Sequence, residues 1–304
     1  MDNHKIMIVG TGNVGASIAF AILNQRTAIN EIILTDIIAH DAEGEAMDLK
    51  DALAVAPSYV KIKNGTYKDA KDCDVVVITA GANQRPGESR MDLLEKNANI
   101  LKGMIEQIMD SGFNGIFLVV TNPMDVLTYL TYKYSGLPAE RVIGSGTVLD
   151  SARLRTRIAS YLDVNPKSVH AYQIGEHGDT ELTVWSLADL GGQKVNDLLK
   201  KDIRTGISDF VKNEAYDIIE KKGATYYGIA TCVVQILNCI LNDEMRVLPV
   251  SSYDQFSETS FGWPTVVGRR GIIRRLDLKL SEHEGVELQM SINALQKAIK
   301  SVRI

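Results

Sequence analysis

A histidine in a glycine-flanked segment is the first candidate for chemistry in this sequence. Residues 174–179 read IGEHGD, and glycines this close to a polar side chain are typical of a constrained loop that holds it in a site. Isolated histidines are more often structural than catalytic. Interconversion of a carbonyl and an alcohol, however, needs one group that titrates near neutral pH and both gives and takes a proton. His177 is therefore the candidate general acid and base.

A carboxylate and a guanidinium are natural companions of such a histidine. Asp150 and Arg153 lie three residues apart in a segment with a helical pattern, so their side chains share one helix face. A surface ion pair of little energetic consequence is one interpretation. In the other, Asp150 orients and stabilises protonated His177, and Arg153 binds a substrate carboxylate through its planar fork.

The segment 10–15, GTGNVG, predicts a dinucleotide site because it follows a predicted strand and opens a predicted helix. Gly10 would permit the tight turn, Gly12 would let the backbone approach a pyrophosphate, and Gly15 would let the helix pack closely on the strand. Asp36 ends the next predicted strand, about 20 residues further on, where a carboxylate accepts hydrogen bonds from ribose hydroxyls and repels a 2′-phosphate. NAD is therefore favoured over NADP, and a Rossmann-like fold with another ligand is the alternative.

A polar loop over residues 80–90, AGANQRPGESR, follows a further predicted strand on the side where open α/β sheets bind ligands. Its glycine and proline residues suggest a mobile lid, and Arg90 at its far end could polarise a reacting carbonyl. On the residues alone, an ordinary arginine on a surface loop is the stronger interpretation.

The elements that must position these residues alternate in the first half of the chain, as in βαβ units around a parallel sheet. Predicted strands cover residues 6–9, 32–35, 75–79, 116–121 and 142–143, and predicted helices cover residues 15–23, 42–54 and 91–110. The second half changes to longer helices at 148–161, 201–221, 226–242 and 281–301, with strands at 246–250 and 263–267. We therefore predict an α/β fold, with a Rossmann-type doubly wound parallel sheet over residues 1–146 followed by an α+β substrate-binding and catalytic domain over residues 147–304.

Composition excludes several classes of function. A formal net charge of -5 argues against a nucleic-acid binder, and we expect the short basic run at residues 269–275 to form a solvated face. No segment resembles a secretory signal or is apolar enough to span a bilayer. Five scattered histidines make a structural metal unexpected, and three cysteines without ligand spacing suggest buried thiols (Cys73, Cys232 and Cys239) in the cytoplasm.

These motifs occur in the order found in bacterial L-lactate dehydrogenases, together with TNPMD at residues 121–125 and KGATYYG at residues 222–228. The chain resembles that family from end to end. The resemblance implies reversible NADH-dependent reduction of pyruvate to L-lactate, with His177 as proton donor and acceptor paired with Asp150. It also implies that Arg153 binds the substrate carboxylate and that Arg90 polarises the carbonyl.

The resemblance assigns the remaining site residues position by position. The substrate-binding residues it implies are Gln84, Arg90, Asn122, Arg153 and Thr225. The NAD-binding residues it implies are Gly10, Gly12, Asn13, Val14, Gly15, Asp36, Tyr67, Gly81, Ala82, Asn122 and Ser145.

Substrate choice depends on Gln84. Similar malate dehydrogenases carry at that position an arginine that pairs with the second carboxylate of oxaloacetate, whereas Gln84 is neutral and would leave that charge poorly compensated. Arg85 is basic, but the family pattern points it away from the substrate. L-2-hydroxyisocaproate dehydrogenases, which reduce larger 2-keto acids and have a longer lid, are the runner-up.

Arg155 and His170 match positions that bind fructose 1,6-bisphosphate between subunits of activatable bacterial lactate dehydrogenases. A basic helix face and a buried histidine are the plain alternative. The resemblance also implies a homotetramer.

Overall fold

The computed structural model describes residues 3–82 and 90–302, with the side chains of residues 90 and 91 left out. The strands are β1 (His4–Val9), β2 (Ile29–Thr35), β3 (Lys61–Asn64), β4 (Val75–Ile78), β5 (Ile116–Val119), β6 (Val142–Gly144), β7 (Val169–His170), β8 (Gln173–Ile174), β9 (Leu182–Thr183), β10 (Asp189–Leu190), β11 (Gln193–Lys194), β12 (Arg246–Asp254), β13 (Thr259–Gly268) and β14 (Gly271–Arg275). The α-helices are α1 (Asn13–Leu23), α2 (Ala39–Ala52), α3 (Arg90–Asp110), α4 (Met124–Ser135), α5 (Val148–Leu162), α6 (Val195–Leu198), α7 (Lys201–Lys222), α8 (Tyr227–Leu241) and α9 (Glu282–Ser301).

The central sheet has the strand order of a dinucleotide-binding fold. Strands β3, β2, β1, β4, β5 and β6 lie side by side in that order, and every pair among them is parallel. Strands β4 and β5 are buried along their whole length, because helices cover both faces of the sheet. The predicted Rossmann-type sheet is confirmed.

The same sheet continues into the second half of the chain. Strand β12 joins β6 through Ser251 opposite Gly144, and β13 and β14 follow in antiparallel order, so nine strands of the described chain form one sheet. The two strands predicted for the second half, at residues 246–250 and 263–267, therefore belong to β12 and β13 of the same sheet. The sheet thus continues past the domain boundary predicted between residues 146 and 147. The division into two domains at that point stays a prediction.

Two apolar layers enclose the sheet. On one face, Ile18 and Ile22 of α1 pack in one cluster with Val233 and Leu237 of α8. On the other face, α3, α4 and α9 contribute to a second cluster through side chains such as Ile105, Leu130 and Leu295. This packing fixes the strand ends, and the strand ends in turn position the site.

Helix α4 is absent from the predicted elements for a physical reason. All eight of its residues from Met124 to Thr131 are buried, Asp125 and the two threonines included, so this part of the helix has no solvent-exposed face that would give a periodic polar pattern. The helix starts directly after a cis peptide bond between Asn122 and Pro123. Strands β3 and β14 and the strands β7 to β11 were also not predicted, because they are only two to five residues long and so too short for a hydrophobic period to show.

Arg269, Arg270 and Arg274 are exposed, as expected for a solvated basic face, and that expectation is wrong only for Arg275. Arg275 does not lie on a solvated face, because its guanidinium stacks 4.5 Å from the ring centre of Phe261 and donates to the carbonyl oxygen of Ser252 at 2.8 Å. Two other expectations can be compared with the described residues. The three cysteines are buried free thiols, as predicted. None of the helices in the described ranges has the length and apolarity that crossing a membrane requires.

Candidate active site

The carboxyl ends of the parallel strands gather the predicted cofactor residues at one edge of the sheet. Gly10 follows β1, Asp36 follows β2, and Ser145 follows β6. Gly81 and Ala82 come three and four positions after the end of β4, and Asn122 comes three positions after the end of β5. Parallel strands place such segments side by side, which is where ligands bind in open α/β sheets.

The glycines at residues 10–15, called the glycine turn below, have distinct steric surroundings. Gly10 has a φ of +95°, and a Cβ atom there would lie 2.6 Å from the Ala80 nitrogen. A Cβ atom on Gly15 would lie 1.9 Å from the carbonyl oxygen of Gly10. Gly12 has nothing within 4 Å of its Cβ position, so the outer side of the turn is open. Gly12 also caps α1 without a side-chain hydrogen bond, which leaves the first N–H groups of α1 suited to a pyrophosphate.

Asp36 holds the glycine turn against the end of β2. Its Oδ2 atom accepts hydrogen bonds from the Thr11 main-chain N–H at 2.7 Å and from the Thr11 hydroxyl at 3.2 Å. Its Oδ1 atom accepts one from the Ile38 N–H at 3.2 Å. The pKa of Tyr67 is raised mainly by burial and, to a lesser extent, by the negative charge of Asp36. Tyr67 therefore lies within electrostatic range of that carboxylate. The contact of Asp36 with a ribose stays a prediction.

Asn97 of α3 supports the same edge and was missed in the sequence. Its Oδ1 atom accepts from the Ala82 N–H at 2.7 Å, and its Nδ2 group donates to the Asn122 carbonyl at 3.0 Å. The side chain therefore ties together the segments that follow β4 and β5. Only 3 % of Asn97 is exposed, and an amide on the buried face of an amphipathic helix is the signal that could have revealed it.

Asp150, Arg153 and His177 converge as predicted. Nδ1 of His177 lies 2.6 Å from Asp150 Oδ2, and Nη1 of Arg153 donates to Asp150 Oδ1 at 2.9 Å. The exposed fractions of the Asp150 and Arg153 side chains are 3 % and 8 %, whereas 27 % of the His177 side chain remains exposed. The interpretation of Asp150 and Arg153 as a surface ion pair is therefore wrong.

The charges of this trio support one another. The negative charge of Asp150 raises the pKa of His177 to about 9, against the opposing effect of burial. Burial alone would raise the pKa of Asp150, but the His177 ring and the Arg153 guanidinium hold it below its ordinary value. An ionised carboxylate can only accept, so Nδ1 carries the proton of that bond. Nε2 of His177 is then the nitrogen left to exchange a proton with a substrate.

Asp125 and Glu181 complete what we call the acid–base cluster, formed with Asp150, Arg153 and His177. Asp125 Oδ2 accepts from the His177 main-chain N–H at 2.6 Å, and Asp125 Oδ1 accepts from the Ser251 hydroxyl at 2.6 Å. Burial raises the pKa of Asp125 to about 7. Because Asp125 is the second residue of α4, three positions beyond Asn122, this carboxylate attaches the His177 loop to the carboxyl edge of the sheet.

Glu181 is a second buried acid next to His177 and Asp150. It is 3 % exposed and accepts a hydrogen bond from Gln173 Nε2 at 3.0 Å. Burial, with the charge of Asp150, raises the pKa of Glu181 to about 8. Ligand atoms of Asp150, His177 and Glu181 lie within 4.8 Å of one another. The two oxygens of Asp150 are nevertheless both engaged, by His177 and Arg153, which describes an acid–base network better than a metal site.

Of the remaining predicted substrate-binding residues in the loop 80–90 and at position 225, the structure fully describes only Thr225. Gln84 and Arg85 lie outside the described residues. Arg90 is the first residue of α3, but its side chain also lies outside the described part. Thr225 is half-buried in the turn between α7 and α8.

The two residues of the predicted sugar-phosphate site are not joined. Arg155 is half-buried, and its Nε and Nη2 groups each donate to the Pro166 carbonyl at 3.3 Å. His170 is exposed on β7, so its interpretation as a buried histidine is wrong. Among the described residues no hydrogen bond connects Arg155 with His170, and their role stays a prediction.

Comparison with known proteins places this site in a family. The model of the lactate/malate dehydrogenase NAD-binding domain matches residues 4–144, and that of the lactate/malate dehydrogenase alpha/beta C-terminal domain matches residues 147–303. L-lactate dehydrogenase 1 of Bacillus cereus is 49% identical over 309 residues, covering 98% of each chain. L-lactate dehydrogenase 2 of Bacillus anthracis is also 49% identical, with the same coverage.

Solved structures agree with these sequences. The minor L-lactate dehydrogenase from Enterococcus mundtii in its ligands-bound form has a TM-score of 0.97 and 43% identity, covering 99% of both chains. Its ligands-unbound form has a TM-score of 0.92 and 42% identity, covering 100% of this chain and 99% of that chain. The resemblance drawn from the motifs is confirmed, and the chain belongs to the lactate/malate dehydrogenase family.

Proposed function

We propose that this protein is an NAD-dependent L-lactate dehydrogenase that reversibly reduces pyruvate. The observation that carries the proposal is the geometry of Asp150, with His177 at 2.6 Å on one oxygen and Arg153 at 2.9 Å on the other. A 2-keto acid needs a carboxylate-binding guanidinium and a proton donor next to each other, and this arrangement provides both. Asp125 keeps that pair attached to the edge of the sheet where a dinucleotide would lie.

NAD, when bound, supplies the hydride-carrying nicotinamide, and the chain supplies the remaining chemistry. Arg153 binds the carboxylate and fixes the carbonyl near His177. Nε2 of His177 gives its proton to the carbonyl oxygen during reduction and takes it back during oxidation, while Asp150 stabilises the protonated ring. Arg90 polarises the carbonyl, and Asn122 and Thr225 line the substrate site. The residues that would hold the cofactor are the glycine turn, Asp36, Tyr67, Gly81, Ala82 and Ser145.

Pyruvate is favoured over dicarboxylates because Gln84 carries no charge. A Gln84→Arg variant should move the ratio of kcat/KM for oxaloacetate and pyruvate toward oxaloacetate by at least roughly tenfold, since one charge pair in a closed site is worth that much discrimination. The same ratio in wild type and variant would remove Gln84 from substrate selection.

The direct test is NADH oxidation with a panel of 2-keto acids, with and without fructose 1,6-bisphosphate. Lactate dehydrogenase activity predicts the highest kcat/KM with pyruvate, lower values with branched 2-keto acids and the lowest with oxaloacetate. Tight NADH binding without turnover of any 2-keto acid would contradict the proposal in favour of a binding protein. The highest kcat/KM with oxaloacetate would instead identify a malate dehydrogenase, and the highest kcat/KM with branched 2-keto acids would identify an L-2-hydroxyisocaproate dehydrogenase.

We also propose a cytoplasmic homotetramer, built from the predicted parts 1–146 and 147–304 and activated by fructose 1,6-bisphosphate through Arg155 and His170. The support is the resemblance of this chain to activatable bacterial enzymes, with both residue types present at the matching positions. Light scattering with and without the effector tests the assembly. Activation that persists in an Arg155→Gln, His170→Gln variant would exclude these residues.

A further inference from the structure

Helix α7 brings a carboxylate to Arg153 that has no part in the roles described so far. The Oε2 atom of Glu214 lies 3.6 Å from Arg153 Nε. Arg153 is 8 % exposed and Glu214 27 %, so this contact is largely shielded from solvent. Arg153 therefore lies between two acids, Asp150 on its own helix and Glu214 on the neighbouring one.

Helix packing holds Glu214 in this place. One turn toward the C-terminus of α5 and one turn toward the N-terminus of α7, the Arg157 guanidinium lies 4.3 Å above the ring centre of Phe210. Two successive turns of α5 thus contact two successive turns of α7, through Arg153 with Glu214 and through Arg157 with Phe210. The hydroxyl of Tyr216 also donates to Asp179 at 3.0 Å, which ties α7 to the loop that carries His177.

The two acids hold Arg153 with different strength. Asp150 accepts a hydrogen bond from Nη1 at 2.9 Å. The Glu214 Oε2 atom is buried and has no hydrogen-bond partner among the described residues. Its 3.6 Å distance to Nε is too long for a hydrogen bond. Glu214 is thus a close counter-charge of Arg153 that is not hydrogen-bonded to it.

A guanidinium binds a carboxylate through one of two forked edges, Nε with Nη2 or Nη1 with Nη2. Glu214 lies next to Nε, which belongs only to the first edge, and Asp150 accepts from Nη1, which belongs only to the second. A substrate carboxylate that binds through either edge must therefore approach one of these acids. Since Asp150 is also bonded to His177, the Nε edge is the one that opens more easily.

We propose that Glu214 is an internal counter-ion that competes with the substrate carboxylate for Arg153 and so sets the KM for 2-keto monocarboxylates. The proposal rests on the proposed function, because it takes Arg153 as the group that binds the substrate carboxylate. Glu214 lowers substrate affinity by like-charge repulsion and by its hold on the Nε edge.

The test is Glu214→Gln, which keeps the size of the side chain and removes its charge. KM for pyruvate should fall roughly three- to thirty-fold, the range expected when a like charge a few ångströms away leaves a partly solvated site. The dissociation constant of oxamate from the enzyme–NADH complex should fall by the same factor, with kcat and NADH affinity changed less than about twofold. Glu220→Gln is the matched control, since it removes the same charge from an exposed position of α7 and should leave KM unchanged.

The outcomes separate this inference from the proposed function. Wild-type enzyme that does not reduce pyruvate would overturn the proposed function itself. Pyruvate reduction by wild type together with an unchanged KM in Glu214→Gln would overturn only the competition. A raised KM would also overturn it and make Glu214 a support for Arg153. If Glu214→Gln does not fold, Glu214→Ala must show the same fall in KM, and the proposal fails if neither variant does.

Discussion

The glycine turn and the acid–base cluster are built on opposite principles. The turn is six consecutive residues whose types follow from steric fit, since a Cβ atom on Gly15 would lie 1.9 Å from the Gly10 carbonyl oxygen. The cluster draws Asp125, Asp150 and the segment with His177 and Glu181 from separate parts of the chain, and it is held by hydrogen bonds and by the attraction between Asp150 and His177. Steric requirements act between neighbouring residues, so they produce a spacing that can be recognised in the sequence. Electrostatic requirements act between residues that are distant in the chain, so the sequence shows only single charged residues without a pattern.

The difference also divides the work of the site. Changes in the turn should affect cofactor affinity and stability, and changes in the cluster should affect proton transfer. The variants below test whether the two regions can be altered independently.

Replacing the proton donor should have the largest effect. His177→Asn is expected to lower kcat for pyruvate by roughly 10³-fold or more, because general acid–base catalysis is lost with the imidazole. NADH affinity, measured by fluorescence titration, should change less than about twofold. A variant that loses both together would show that the two regions are not separable, and a variant with preserved turnover would remove His177 from the mechanism.

Two glycine variants distinguish internal packing from ligand approach. Gly15→Ala should lower the free energy of unfolding by about 1–3 kcal/mol or more, since its Cβ atom has no space. Gly12→Ala should leave stability nearly unchanged, because its Cβ position is open, yet weaken NADH binding by about tenfold or more. Denaturant unfolding and NADH titration of both variants provide the comparison. Equal stability losses would refute the distinct steric roles.

Ser251→Ala should have the smallest effect. The variant removes one hydrogen bond to Asp125, while the bond from the His177 main chain remains. We expect a loss of about 1 kcal/mol in unfolding free energy and a change in kcat of only a few fold. A loss of kcat as large as that of His177→Asn would mean that Asp125 contributes more to proton transfer than its contacts indicate.

The sequence was sufficient for the sheet, the glycine turn and the trio of Asp150, Arg153 and His177, because periodicity and the types of these residues mark them. It was insufficient for Asn97, Asp125, Glu181 and Glu214. Each of these is an ordinary polar residue whose importance comes from its contact with a partner elsewhere in the chain, in a position shielded from solvent. The local spacing of residues in the sequence predicts neither that contact nor that shielding. Helix α4 was missed for the related reason that its residues 124–131 are all buried and present no solvent-exposed polar face.

The most direct test of the account is the pH dependence of kcat/KM for pyruvate in wild type and in Asp150→Asn. Reduction needs protonated His177, whose pKa of about 9 rests mainly on the charge of Asp150. Wild-type reduction should therefore fall as the pH rises through about 9, while lactate oxidation increases over the same range. In Asp150→Asn the inflection should move to lower pH, by about one unit or more. An inflection that stays in place would contradict the claim that this carboxylate holds the proton on His177.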